Sequence, residues 1–317
     1  MAALPGASSL MFAFALRRLL HAVPSLFVLL TLAFFMMRAA PGGPFDSERT
    51  LPPQIEAALR SEYRLDAPLW RQYLDYIAAL VHGDLGPSFQ YEGYRVTELI
   101  AAGLPVSLAL GAGALLLALL AGGAIGVLAA RRPGSVLDHL LTNVALLGVS
   151  IPNYVIAPLL ILLFAVTLGW LPAGGWRHGE FADMVLPVIA LALPQVAYVA
   201  RMLRVSLIDA LAMPYVRTAR ARGLPERLLI FRHALRPALL PVISHLGPAA
   251  AGLLTGSVVI EQIFGIPGLG RYFVQAALNR DYTLVLGVML LYGVLILIFN
   301  FVVDLLYGAL DPRLRVT

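Results

Sequence analysis

The chain has 317 residues, 60% hydrophobic and only 13% charged, where a soluble domain averages about 45–50% apolar and about 25% charged. Water cannot solvate most of such a surface, so the long apolar runs set the architecture. All 23 basic residues are arginine, and lysine and cysteine are absent. That excludes a P-loop phosphate site, Schiff-base catalysis, thiol nucleophiles, disulfides and cysteine zinc sites.

The apolar runs predict six membrane-spanning helices in an all-α fold. The first covers about 19–37, follows Arg17-Arg18 and stops at Arg38. A cleaved signal peptide is the alternative there. The run is long for one, and Arg38-Ala39-Ala40-Pro41 is not a small-x-small cleavage site, so the span is expected to be retained. The second covers 104–130 and ends on Arg131-Arg132. The third covers 140–168, with Pro152 and Pro158 inside. The fourth covers 182–200, the fifth 237–260 with Pro241, Gly247 and Pro248, and the sixth 284–304. Each is close to or above the ~20 residues that cross ~30 Å of hydrocarbon.

Arginine orients the bundle. With the N-terminus in the cytoplasm, fourteen arginines flank the spans on the cytoplasmic side and three lie in the short external loops. Both termini are therefore expected to be cytoplasmic. The net charge of +5 belongs to these loops, which argues against a nucleic-acid partner. The 38–103 segment is then external and mildly acidic, with six arginines and nine acids. In it Asp66 is placed to cap a helix starting near Pro68. Trp70, Tyr73, Leu74, Ile77 and Val81 form an apolar face for the membrane surface or the bundle mouth. The expected division is residues 1–103, a span plus an external helical region, and 104–317, a five-span core. No internal repeat of 20–50 residues is visible.

The densest charge lies between Arg201 and Arg236, with eight arginines against Asp209 and Glu226. The fourth span continues as a helix through Arg201 and Arg204 and breaks at Met213-Pro214. Pro214 suits a first helical position, and Gly223 followed by Pro225 is a stop. Between them Val216, Ala219 and Gly223 share a small-residue face, with Arg217 and Arg220 beside it. Small residues let the backbone enter a partner's cleft, and arginines fork onto carboxylates around it. So short a helix is unstable alone in water and needs tertiary contacts or a partner. A second helix is expected over 226–235. The plainer reading is an arginine cluster that sets topology and touches anionic lipid.

Within the spans the costly polar groups are Asn143, Asn153, Gln195, His245, Asn300 and Asp304, with Glu261 at the external end of the fifth. Interhelical hydrogen bonds account for most of them. Glu261 is either a helix-end acid or a contact for the amino end of a passing peptide. The Gly- and Pro-rich fifth span, with His245, Gly252, Gly256 and Glu261, is expected to line a translocation path. No Ser–His pair or ligand cluster is evident, so no catalytic residue, metal or cofactor is expected.

The run from Tyr215 to Pro241 resembles the cytoplasmic loop of ABC-importer permease subunits, most closely the B-type subunit of the dipeptide/oligopeptide family. Further matches are Leu16-Arg-Arg, Met37-Arg-Ala-Ala-Pro-Gly42, His82-Gly-Asp-Leu-Gly-Pro-Ser88 and Gly256-Ser-Val-Val-Ile-Glu261. Ile266-Pro-Gly-Leu-Gly270, Asn279-Arg-Asp-Tyr282 and Asp311-Pro-Arg313 complete a likeness that covers nearly the whole chain. It implies the type I importer permease fold and a coupling helix that docks through Tyr215, Val216, Arg217, Thr218, Ala219, Arg220, Ala221, Arg222 and Gly223. The implied partners are two ATP-binding subunits, a second homologous permease and an extracytoplasmic peptide-binding protein, with short peptides as substrate. Arg217-Thr218-Ala219 stands where the importer loop has Glu-Ala-Ala, so the acidic contact of that loop is missing. An ion-coupled secondary transporter is the alternative; it predicts inverted repeats and midplane acids.

Overall fold

The structure, a computed structural model, describes residues 7–40, 43–44, 54, 61, 64–177 and 179–310, without the side chains of 7–19, 21, 254–256 and 304–310. The described residues are helical and contain no strand, only an isolated bridge between Pro87 and Arg95. Four helices are long and apolar enough to cross a membrane: α1 (Ala7–Ala39), α3 (Val96–Ala130), α6 (Phe181–Leu211) and α11 (Tyr282–Leu310). Two more spans are bent. Helices α4 (Val136–Ser150) and α5 (Asn153–Thr167) meet at 103°, and α9 (Leu240–Phe264) bends by 42° after Leu253. The total is six when each bent pair crosses once. Between these lie α2 (Leu69–Val81), α7 (Pro214–Ala221), α8 (Glu226–Leu228, running on through a π-helical stretch, Leu229–Ala234, into Leu235–Ala238) and α10 (Leu269–Leu278).

The third predicted span is thus two helices. Ile151 precedes Pro152 and takes the extended conformation, φ −101° and ψ 122°, because the proline ring crowds the helical region of the residue before it. Pro158 does not break α5; a π-helical stretch, Ile161–Thr167, follows it.

The chain forms two compact units. One comprises 13–107 and 267–294. Its core joins Leu30, Ala33 and Phe34 of α1 to Leu286 of α11, with Tyr73, Tyr76 and Leu80 of α2 packed against them. The predicted apolar face of α2 is thus divided: Tyr73 packs against this core, while Trp70, Leu74 and Val81 are exposed. Asp66 does not cap the helix. Pro68 occupies that position, and the Gln72 side chain donates to the Leu65 and Ala67 carbonyls at 2.9 and 2.7 Å. Asp281 knits the rest of this unit. Its fully buried carboxylate accepts from the Ser88 hydroxyl, the Phe89 and Gln90 amides at 3.1 Å each, Thr283 Oγ1 and the Leu284 amide. Two motifs distant in sequence, Gly-Asp-Leu-Gly-Pro-Ser88 and Asn-Arg-Asp281, are therefore the two halves of one hydrogen-bonded joint.

The other unit comprises, among the described residues, 7–12, 108–266 and 295–310 and is organised around α6. A Cβ on Gly122 or Gly126 of α3 would lie 2.7 or 2.8 Å from the Val196 or Ala200 carbonyl, and one on Gly148 of α4 2.6 Å from that of Leu193. Glycine alone allows these approaches. The last turns of α6 (Val199, Leu203, Leu207, Ala210) share a core with Ile230, Ala234 and Ala238 of the α8 region and Val242 of α9. Arg204 closes the arrangement. Its Nε and Nη2 donate to both oxygens of Asp138, each at 2.6 Å. Asp138 is buried at the start of α4, where it also accepts from the Gly134 amide, and Ser135 caps the helix through the Asp138 amide.

Arg204→Ala would strand the Asp138 carboxylate without a counter-charge and should cost about 3–5 kcal/mol. Thermal unfolding of the purified chain should show a lowered midpoint. Arg204→Met combined with Asp138→Leu should recover most of the loss. An unchanged midpoint in the single variant would show that the pair carries no stability.

Candidate functional site

Helix α7 follows the local signals. Met213 takes an extended conformation, Pro214 stands at the first helical position, and Thr218 Oγ1 bonds back to the Pro214 carbonyl at 3.0 Å. At the far end Gly223 adopts φ +81°, a region that costs a side chain ~1–2 kcal/mol. The Leu224 amide then reaches Ala219 O at 3.4 Å and the Gly223 amide Arg220 O at 2.9 Å, the paired bonds of a Schellman close.

The orientation of α7 differs from the predicted one. Val216, placed on the face meant for a partner, is 0% exposed and seats the helix on this chain. Ala219 is half-buried and Gly223 exposed. The outward surface is Tyr215, Arg217, Thr218, Arg220, Ala221 and Arg222. Tyr215 reaches the His233 carbonyl at 3.4 Å. Arg220 is not free: its Nε and Nη2 donate to Glu226 at 2.6 and 3.2 Å. This guanidinium holds the Glu226 carboxyl below the usual glutamate range. The pair therefore contributes above that range and is lost as pH falls through the lowered value. Among the described residues no carboxylate pairs with Arg217 or Arg222. Two exposed, uncommitted guanidinium groups thus stand on a short helix that is anchored by one valine and clamped by one ion pair.

The predicted path residues on α9 have different surroundings. His245 Nε2 lies 3.2 Å from Gln195 Oε1 of α6, and its ring is 5.7 Å from that of Tyr198. This is an interhelical pair, half-buried on both sides. Gly252 is exposed, and a Cβ there would meet nothing within 4 Å. Gly256 belongs to the helix, but its surroundings lie outside the described residues. Glu261 is 0% exposed and accepts from Ser257 Oγ at 2.7 Å. Its carbonyl accepts from the Ile266 amide at 2.8 Å as the helix closes at Gly265. In this conformation the Glu261 side chain meets no solvent. Among the described glycines of α9 the closely packed one is Gly247, whose added Cβ would lie 2.8 Å from Asn300 Oδ1.

Two family models match: "Binding-protein-dependent transport system inner membrane component" over residues 122–316, and the N-terminal model of the same membrane component over 11–111. The chain belongs to this family of transport-system permeases. Among its relatives, the oligopeptide transport system permease protein OppB of Salmonella typhimurium is 52% identical over 305 residues, 96% of this chain and 100% of the relative. OppB of Escherichia coli K12 is 51% identical over the same extent. The dipeptide transport system permease protein DppB of Bacillus subtilis is 43% identical over 291 residues, 92% of this chain and 94% of the relative. Inward-facing structures of the MetNI methionine ABC transporter share the fold, with a TM-score of 0.53 at 21% identity over 68% of this chain and 97% of the solved one. So does an amino acid ABC transporter crystallised with histidines, with a TM-score of 0.53 at 22% identity over 66% and 93%. An all-α importer permease of type I is the fold, and the ion-coupled alternative is not favoured.

In this permease the sequence signals missed two side-chain partnerships. Glu226 lies one turn beyond the stop at Gly223, and the local pattern marks it only as a second helix's first acid. Gln195 lies fifty residues from His245, a separation that periodicity cannot bridge. Val216→Asp should unseat α7, since burying a valine is worth about 1.5–3 kcal/mol and a buried carboxylate costs more. Trypsin should then cut at Arg217, Arg220 or Arg222 at least about tenfold faster than in the wild type. Equal cleavage rates would show that Val216 does not anchor the helix.

Proposed function

We propose that this chain is a membrane-spanning permease subunit of an ATP-driven importer of short peptides, docked on its ATPase through α7. The substrate class rests on the names of relatives that match across almost their whole length. The docking role rests on one observation: α7 holds a fixed shape by Val216 and the Arg220–Glu226 clamp while turning Arg217 and Arg222 outward. A helix that is rigid on one side and cationic on the other suits carboxylates around a partner's cleft. The α8 region shares a core with the end of α6, so a push on α7 is carried into a membrane-spanning helix rather than into a free loop.

In this reading two ATP-binding subunits lie on the cytoplasmic side, with both termini of the chain. A second homologous permease completes the pore, and an extracytoplasmic peptide-binding protein delivers the substrate. Residues 1–103 supply the first span and an external region, and 104–317 form the core of the permease in the inner membrane. ATP binding favours one orientation of the cavity over the other, which is what any ligand-driven switch requires. The path for the peptide follows α9, past the His245–Gln195 pair and Gly252, on through Gly256. Glu261 reaches it only if the Ser257 bond opens. No tight side-chain site is needed for varied peptides, and the bent, glycine-bearing α9 fits that requirement.

Arg217→Glu together with Arg222→Glu should reduce ATP-dependent peptide uptake by about tenfold or more, the scale of breaking charge pairs across a desolvated contact. Membrane insertion should be unchanged. Undiminished uptake in that variant would remove the docking assignment, and uptake driven by a proton gradient and indifferent to vanadate would remove the ATP-driven one.

The natural absence of cysteine makes α9 directly testable. His245→Cys and Gly252→Cys should change several-fold in reactivity toward an impermeant thiol reagent between ATP-trapped and ATP-free complexes. Constant reactivity at both positions would place the path elsewhere.

A further inference from the structure

The unit comprising 13–107 and 267–294 contains a cavity of about 240 Å³. Arg38, Gln72, Tyr76 and Thr283 are among its lining residues, with the Arg64–Asp75 pair at 3.9 Å on one side. Among the described residues neither Arg38 Nη1 nor Tyr76 Oη, both buried atoms, has a hydrogen-bond partner. The guanidinium is nonetheless rigidly placed. It stacks on the Phe34 ring with Cζ 3.6 Å from the centroid, and its Nε donates to Gln72 Oε1 at 3.1 Å. Gln72 is itself fixed by its two backbone acceptors. Tyr76 is held with its ring 5.9 Å from that of Phe34. Among the described residues no carboxylate pairs with Arg38, and Asp75 is taken by Arg64. A largely buried cation without an anion is unfavourable, and a buried hydroxyl without an acceptor adds to that. Two preorganised donors on residues that line a cavity, with no carboxylate partner for the cation among the described residues, call for an oxyanion.

The surroundings select the source. Arg38 is one residue from the end of α1. One turn or less before it, the apolar side chains of Phe35 and Met36 are exposed, the latter 72%. Trp70 of α2 is 64% exposed in the same unit. A guanidinium at the end of an apolar span, in a unit that also exposes a tryptophan, fits the depth of lipid headgroups. The cavity is below the ~300–1,000 Å³ that enclose a whole small-molecule ligand. It is the size for a headgroup fragment whose chains remain in the bilayer.

We propose that this cavity binds the phosphate of a membrane phospholipid, with Arg38 and Tyr76 as the donors. Burial pushes the Tyr76 phenol up to about 12, so it remains a donor throughout the physiological range. The proposal does not depend on the transported solute.

The full-length chain, with whatever partners copurify, would be delipidated in a neutral detergent. It would then be titrated with dihexanoyl phosphatidylglycerol, dihexanoylglycerol, inorganic phosphate and a tripeptide, and binding read by native mass spectrometry. The phosphatidylglycerol should bind and the phosphate-free dihexanoylglycerol should not. Tyr76→Phe, which keeps the packed ring, should weaken binding about tenfold, and Arg38→Gln at least as much. If Arg38→Gln cannot be recovered folded, Tyr76→Phe alone decides. Wild-type affinity in the recovered variants, no lipid binding by the wild type, or equal binding of dihexanoylglycerol would each overturn the site. Inorganic phosphate or the tripeptide binding more tightly than the lipid would overturn its assignment to a lipid.

Discussion

In hydrocarbon, apolar side chains gain little by exchanging lipid for protein neighbours, so helices associate through close packing and hydrogen bonds. The larger unit of this permease meets that constraint at α6. Gly122, Gly126 and Gly148 bring two helices to within contact of its carbonyls, where any side chain would collide with backbone. The Arg204–Asp138 pair then fixes the end of α6 against the start of α4. Because α6 runs unbroken to Leu211, two residues before α7 begins to turn, the position of the basic helix is inherited from this packing.

Polar groups in the spans are treated with the same economy. His245 is matched by Gln195, Glu261 by Ser257, and Asn300 lies against Gly247. The two hydrogen-bonded pairings remove groups that would be costly in lipid. The His245–Gln195 bond also joins α9 to α6 with modest strength, about 0.6 kcal/mol on average for such contacts. That is compatible with a helix that must be held and also be able to shift. In the smaller unit Asp281 plays the opposite part. A buried carboxylate with several donors is a joint that does not open easily, and it binds the loop at Ser88 to the entry of α11.

The missing acid of the importer loop acquires a structural counterpart here. Where the loop pattern has Glu, this chain has Arg217, and the acid beside the helix is Glu226, an exposed carboxylate that pairs with Arg220 and braces the helix. The outward charge left outside that pair is positive, at Arg217 and Arg222. A partner that accepts α7 through Arg217 and Arg222 is expected to be acidic at the contact.

Much of this architecture follows from the sequence alone, because the signals involved act over a few residues. An apolar run is long enough for hydrocarbon or it is not. Pro214 and Gly223 bound a helix through their own φ preferences, and Ile151 is driven out of the helix by the proline next to it. The motifs of the permease family are equally local. What only the tertiary structure decided are the partners and the directions of side chains. Val216 turned inward, Trp70 and Leu74 turned outward, and Glu261 was buried rather than presented. Ser88 found Asp281 across 193 residues of chain. Periodicity gives the faces of a helix but not which face meets protein. In a membrane protein lipid and protein interior are both apolar, so hydrophobicity cannot tell them apart, and the close contacts between helices have to do so.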